Sequence, residues 1–186
     1  MRVLVVSSSP NKDGLTAACA RAAVEAIRRA GHQVREIRLN DLDIRHCQAC
    51  NKGWGSCWDK RQCCQEDDFG ALHRELVAAD AYVWVTPVYF GEPSESMKAF
   101  LDRLRRCKRS TADGHGAFIN KPMIAVAAAG GSGNGIVSCL SCLERWIRHV
   151  SGRKVDFIGV TRFNRAYKLA QIARAAEFMV TEFSSA

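Results

Sequence analysis

The sequence predicts a doubly wound α/β domain, a five-stranded parallel sheet in the order 2-1-3-4-5 with helices on both faces. Two observations predict it. Five short apolar runs alternate with five stretches of helical periodicity, and no internal repeat or low-complexity linker interrupts them. The composition, 47% hydrophobic and 25% charged over 186 residues, is that of a globular domain with a sizeable core. One domain over 1–186 is expected, with a cysteine-rich insertion at about 45–66. Right-handed crossovers place helices on both faces, and the strand order reverses between strands 1 and 3. A crevice that accepts ligands opens there, at the carboxyl ends of the strands.

Each element has its own signal. Arg2–Val6 is a buried strand, too short an apolar run for a secretory leader. Leu15, Ala18, Cys19, Ala22, Ala23, Ala26, Ile27 and Ala30 recur at helical spacing, and Gly31 closes that helix. Gln33–Leu39 is more polar and suits a strand nearer the edge. Asp67–Asp68 offers an N-cap for a short helix ending near Ala79. Ala81–Pro87 is a buried strand, and Met97, Phe100, Leu101 and Leu104 mark the next helix. Pro122–Gly130 and Val155–Val160 are the last two strands. Ile136, Leu140, Leu143, Ile147 and Val150 give the helix between them, and Leu169, Ile172, Ala173, Ala176, Met179 and Phe183 give the final helix. Lys108–Asn120 is a polar, Gly-containing loop that would border the substrate space.

Three loops then share the carboxyl end of the sheet. Ser7–Thr16 joins a strand to a helix with hydroxyls, turn formers and free helix-N-terminal amides, a setting that holds a phosphate dianion. Ser9, Asn11 and Thr16 are its best side-chain candidates. The loop is neither a G-x-x-x-x-G-K-[ST] nor a G-x-G-x-x-G motif. Thr86–Ser94 is stiffened by two prolines, and its Tyr89 and Phe90 offer a flat surface to a ring system. Ala129–Gly135 carries four glycines whose amides can meet a ligand edge.

A formal charge of +8 favours anionic ligands, but without an arginine-rich arm it reads as a solvated basic surface and not as nucleic-acid binding. No apolar run is long enough to span a membrane. The nine cysteines are odd in number and point to a reducing cytosol, where thiols are free, metal-bound or redox-active. Cys47, Cys50, Cys57 and Cys63 are the candidate ligand set, and four thiolates suit a [4Fe–4S] cluster or a zinc ion. Cys139 and Cys142, one turn apart near a helix start, are either small core residues or thiols activated by the helix dipole. Cys19 and Cys107 read as fillers.

S-S-P-x-x-x-G-x-T after the first strand and T-P-V-Y-F-G-x-P-S-x-x-M-K-x-F-L-D-R after the third resemble the NAD(P)H-dependent FMN reductase and iron–sulfur flavoprotein branch of the flavodoxin-like superfamily. The resemblance runs from Met1 to about Val160 and is most specific over Thr86–Arg103. It implies that Ser7, Ser9, Asn11, Leu15 and Thr16 hold the FMN phosphate. It also implies that Pro87, Val88, Tyr89, Phe90 and Gly91, with Ala129, Gly130 and Gly131, flank the isoalloxazine. Asn11 replaces a residue often basic in relatives, and Leu15 one that is often Asn.

The implied activity is an FMN-dependent oxidoreductase. NAD(P)H delivers hydride to the flavin, and a quinone, free flavin or other small acceptor takes the electrons, so no side-chain acid or base is required. A homodimer or homotetramer is also implied. The family's iron–sulfur members carry C-x2-C-x2-C-x4–7-C, whereas this chain reads C-x2-C-x6-C-x5-C with Gly53 three residues after Cys50. An electron carrier using FMN and a [4Fe–4S] cluster with a ferredoxin-like partner, a zinc-bearing binding module, and a reductase with unligated thiols all remain open on that spacing.

Overall fold

The computed structural model describes residues 1–107 and 116–184. Most of the Lys108–Asn120 loop therefore lies outside the described residues. The elements are β1 (Arg2–Ser7), α1 (Leu15–Arg29), β2 (Gln33–Arg38), α2 (Ser56–Asp59), α3 (Phe69–Ala78), β3 (Ala81–Tyr89), β4 (Glu92–Pro93), α4 (Glu95–Leu104), β5 (Pro122–Ala129), α5 (Ile136–His149), β6 (Arg153–Thr161) and α6 (Arg165–Glu182).

The strand order is β2-β1-β3-β5-β6, with every one of these neighbours parallel. This is the predicted 2-1-3-4-5 arrangement. Two elements were not foreseen: the single-turn α2 inside the cysteine stretch, and β4, which pairs antiparallel with β3 as Val88↔Pro93 and Tyr89↔Glu92. The edge strand β6 also starts earlier than expected, because a register shift between Met123 and Ile124 lets Val155 bulge between Lys154 and Asp156.

Alternation along the strands explains the two layers. Val3, Val5, Val83, Val85, Ile124 and Val126 face α1 and α6, while Leu4, Val6, Tyr82, Trp84, Met123 and Ala125 face α3, α4 and α5. Both faces are covered, so these strands read as continuous apolar runs. Trp84 anchors the second layer, against Tyr82 at 5.4 Å and Trp146 at 4.9 Å between ring centroids. Gly31, at φ +81°, ends α1 as expected. The start of α3 is different: Asp67, not Asp68, receives the Phe69 amide (3.1 Å), while Asp68 takes the Asp43 amide (2.8 Å). Among the described residues no helix is long and apolar enough to cross a membrane.

Candidate functional site

β1, β3 and β5 are neighbours, so the loops leaving their carboxyl ends must meet. Hydrogen bonds join the first two. Ser8 Oγ donates to Thr86 Oγ1 at 3.0 Å, the Ser94 amide donates to the same oxygen at 3.0 Å, and Ser94 Oγ lies 2.8 Å from Ser8 Oγ. All three side chains are buried. The second and third loops are joined by Ser138 Oγ donating to the Gly91 carbonyl at 2.7 Å and by direct contact of Gly91 with Gly135. Sequence reasoning did not assign Ser8, Thr86 or Ser94 a role. Ser94, three residues before Met97, carries a visible N-cap signal, and its Oγ does accept the Met97 amide.

The first loop keeps an open helix end. Gly14 caps α1 with no side-chain hydrogen bond, and the first turn holds no acid. Among the described residues, then, no side chain caps the leading amides and no first-turn acid offsets their positive dipole. Ser7, Ser9 and Thr16 are buried at this end. Leu15 is half-buried and packs on the α1 core layer, while Asn11 is exposed. Asn11 shapes the loop: its Oδ1 accepts the Asp13 amide (3.1 Å), and Ser9 Oγ accepts the Asn11 amide (3.2 Å). The Arg38 guanidinium, paired through Nε with Asp41 at 3.0 Å, donates to the Ser9 carbonyl at 3.4 Å.

In the second loop Pro87 is buried, Val88 half-buried, Tyr89 half-exposed and Phe90 fully exposed. Phe90 (φ +52°) and Gly91 (φ +80°) form the two-residue turn between the paired Tyr89 and Glu92. That turn demands positive φ at both positions. Phenylalanine there costs of order 1–3 kcal/mol and thrusts an aromatic ring into solvent beside the strand ends. In the third loop Ala129 is buried, and a Cβ on Gly130 or Gly131 would meet nothing within 4 Å. A cleft of about 640 Å³ opens beside the first two loops, lined among others by Ser8, Pro10, Arg45, His46, Tyr89 and Lys98. The residues 129–131 do not line it.

The cysteine stretch folds against α4. Cys47, Cys50, Cys57 and Cys63 line one cavity of about 200 Å³, and Cys64 joins them with Arg105 and Arg106. Cys64 was missing from the expected set. Its thiol lies 3.6 Å from that of Cys50, a contact that pushes the Cys50 thiol up in pKa. Among the described residues no three His, Cys, Asp or Glu side chains are placed to hold a metal ion. The thiols surround a space instead of converging on a point, and arginines flank that space. Five cysteines beside two arginines are, by donor chemistry, a set that would accept an anionic thiolate-ligated cluster.

The dipole-activated reading of Cys139 is overturned. Cys139 is fully buried, and burial pushes its thiol up to about 12, while burial and Glu92 raise Cys142. Cys19 and Cys107 are core residues, each also pushed up to about 12 by burial.

A doubly wound parallel sheet in this order, with its strand-end loops joined to one another, defines a flavodoxin-like protein. The solved structures agree on that fold. An NAD(P)H:quinone oxidoreductase from Methanothermobacter marburgensis superposes with a TM-score of 0.75 at 17% identity, covering 96% of each chain. A flavodoxin from the domain Archaea does so with 0.63 at 16%, covering 98% of each. Residues 1–155 match the NADPH-dependent FMN reductase family, and the chain belongs to it. FMN is the cofactor that goes with this membership. An iron–sulfur flavoprotein of Methanosarcina thermophila is 26% identical over 152 residues, 82% of this chain and 75% of the relative. Another, from Archaeoglobus fulgidus, is 30% identical over 104 residues, 56% of this chain and 46% of the relative. The chain thus matches about half the length of the latter.

Proposed function

We propose that this chain is an FMN-dependent oxidoreductase that moves electrons from NAD(P)H to a quinone, a flavin or another small acceptor. The observation that carries the reading is the joining of three strand-end loops beside an open helix N-terminus. FMN, when bound, supplies the hydride and electron chemistry. The protein's part is to bind and orient. The amides at the start of α1, with Ser7, Ser9, Asn11, Leu15 and Thr16, hold the phosphate, and Arg38 braces the loop at the Ser9 carbonyl. Pro87, Val88, Tyr89, Phe90 and Gly91, with Ala129, Gly130 and Gly131, offer backbone and ring surface to the isoalloxazine, and the amides of these residues other than Pro87 stabilise negative charge at the ring edge. The open space over Gly130 and Gly131 fits a flat ring edge that any Cβ would crowd.

The visible spectrum and the flavin content of the purified chain test this. Thr16→Ala and Gly130→Val should each lower flavin retention. Unchanged flavin in both would sink the loop assignments.

One observation favours a second reading. Five thiols line a single cavity flanked by arginines, and the 46–47 peptide bond joins that cavity's Cys47 to His46 of the loop-side cleft. The chain would then be an electron carrier with FMN and a [4Fe–4S] cluster, exchanging electrons with a ferredoxin-like protein. Iron and acid-labile sulfide analysis separates the two readings. Zinc without flavin would defeat both.

A further inference from the structure

The buried face of α4 is apolar at Met97, Phe100, Leu101 and Leu104, yet Arg103 lies on it with its side chain 1% exposed. Its guanidinium makes a fork on the buried Asp67 carboxylate, with Nη1 to Oδ2 and with Nη2 to Oδ1 at 2.9 Å. Nη1 also donates to the Arg45 carbonyl at 3.1 Å, Nη2 donates to Cys63 Sγ at 3.3 Å, and the Phe69 ring lies 4.2 Å below. One side chain thus fastens both ends of the cysteine stretch, at 45 and at 63–67, to one helix. At the other end of that helix, about 14 Å away at 1.5 Å per residue, Ser94 bonds to the first flavin loop.

Stability alone does not account for an arginine here. A buried ion pair is matched or exceeded by apolar side chains of similar volume. Arg103 Nε moreover stays buried without a hydrogen-bond partner, a further cost. What an apolar residue cannot supply is the charge-assisted N–H···S contact. With Asp67 neutralising the guanidinium, the donor aimed at Cys63 is fixed in place.

We propose that Arg103 is a positioning residue for the thiol centre: it holds Cys63 as a cluster ligand and, through its hydrogen bond to that sulfur, raises the centre's electron affinity. The inference rests on the iron–sulfur reading above. Hydrogen bonds to ligating sulfurs stabilise the added negative charge of the reduced state, and such outer partners tune affinity and potential.

The full chain is reconstituted anaerobically with ferrous iron, sulfide and FMN. Flavin, iron and sulfide per chain are then measured, with the midpoint potential of the iron signal. Arg103→Lys keeps the positive charge beside Asp67 but has no planar fork to reach carboxylate and thiol together. It should retain flavin and iron while its potential moves to more negative values. A potential equal to the parent's overturns the inference and leaves the iron–sulfur reading standing. If Arg103→Lys also loses flavin, and so has lost the fold, Cys63→Ser decides. Flavin retained with iron lost supports Cys63 as the ligand held by Arg103, and flavin and iron both unchanged refute it. A parent chain that takes up flavin but neither iron nor sulfide removes the iron–sulfur reading, and the inference with it.

Discussion

Gly135 and Gly91 sit so close that a Cβ added to Gly135 would lie 2.6 Å from the Gly91 Cα and 3.0 Å from its amide nitrogen. Backbone therefore meets backbone where the second and third loops join, and neither strand can retreat, since β3 and β5 are paired up to Pro87 and Ala128. Gly135 also has φ +81°. Gly135→Ala should destabilise the FMN-free protein by about 1–3 kcal/mol from the backbone conformation alone, with the overlap adding to it. It should also weaken FMN binding by about tenfold or more. Gly130→Val differs, because open space surrounds that position. Its FMN-free stability should stay within about 0.5 kcal/mol of the parent while FMN binding falls. Thermal unfolding with and without FMN, and fluorescence titration, check both.

Ser94 is the hinge pin of the other junction. It receives the Met97 amide as the N-cap of α4, and its hydroxyl lies 3.0 Å from the Ser8 carbonyl, within donating distance. Ser94→Ala removes the cap and leaves buried Ser8 with one partner fewer. The cap alone is worth about 0.5–2 kcal/mol and the second hydrogen bond about 1 kcal/mol. The expected loss is roughly 2 kcal/mol, read by urea unfolding at constant m-value. A change under about 0.5 kcal/mol would show that the two loops are held together by packing instead.

These two junctions also show what the sequence made legible and what it did not. The existence of the strands and helices and the position of all three loops follow from apolar runs such as Ala81–Pro87 and from the glycines at 31 and 130–135, because burial and backbone conformation are local signals, whereas the strand order is carried over from the fold that such alternation adopts. The β3–β4 turn was missed because Phe90–Gly91 lacks the usual Asn-Gly signature; the fold forces positive φ on phenylalanine there. Arg103 was missed for the opposite reason. Helical spacing from Phe100 places it on the buried face, but only the tertiary fold brings Asp67 and Cys63 to it. Spacing alone likewise left Cys64 out of the thiol set, since its approach to Cys50 depends on how the loop folds back.

His73 makes the folded state sensitive to mild acid. Its ring stacks on Phe69 at 5.6 Å, and Nε2 lies 3.2 Å from the Cys107 carbonyl, to which the neutral Nε2–H form donates. Burial lowers its pKa below 6.5, the Cys107 carbonyl opposes this in part, and Arg74 adds to the lowering. Below 6.5 the unfolded chain binds a proton that the folded one does not, so stability rises with pH across that window. His73's contribution is complete above about 6.5, declines as pH falls below it, and levels off once the folded-state pKa is passed. Asp67 acts lower. Burial raises its carboxyl, but Arg103 and the Arg45 and Phe69 amides outweigh this and hold it below 3.8, so its contribution is lost only in stronger acid. His73→Gln should flatten the unfolding free energy against pH just below 6.5 and leave the acid limb in place. An unchanged slope there would show that His73 is not its source.

The open end of α1 sets stability against cofactor binding. Gly14 leaves the leading amides without a side-chain acceptor, and the first turn carries no acid, although either would stabilise an isolated helix. Gly14→Asp supplies both. The new Cβ would stand 2.9 Å from Asn11 Nδ2 and 3.2 Å from its Cγ, so the exposed Asn11 side chain, which holds the Asp13 amide, must shift by a few tenths of an ångström. Relative to glycine, itself a tolerated N-cap, the new side chain is worth only a few tenths of a kcal/mol as a cap, and its charge adds about 0.3–1 kcal/mol through the helix dipole, so the FMN-free protein should hold or gain thermal stability. The same carboxylate occupies the amides proposed for the phosphate and repels it. FMN binding should therefore weaken by tenfold or more, and riboflavin, which lacks the phosphate, should be far less affected. Raising the salt concentration should recover part of the lost FMN affinity by screening the repulsion. Equal losses for FMN and riboflavin would place the phosphate away from the start of α1.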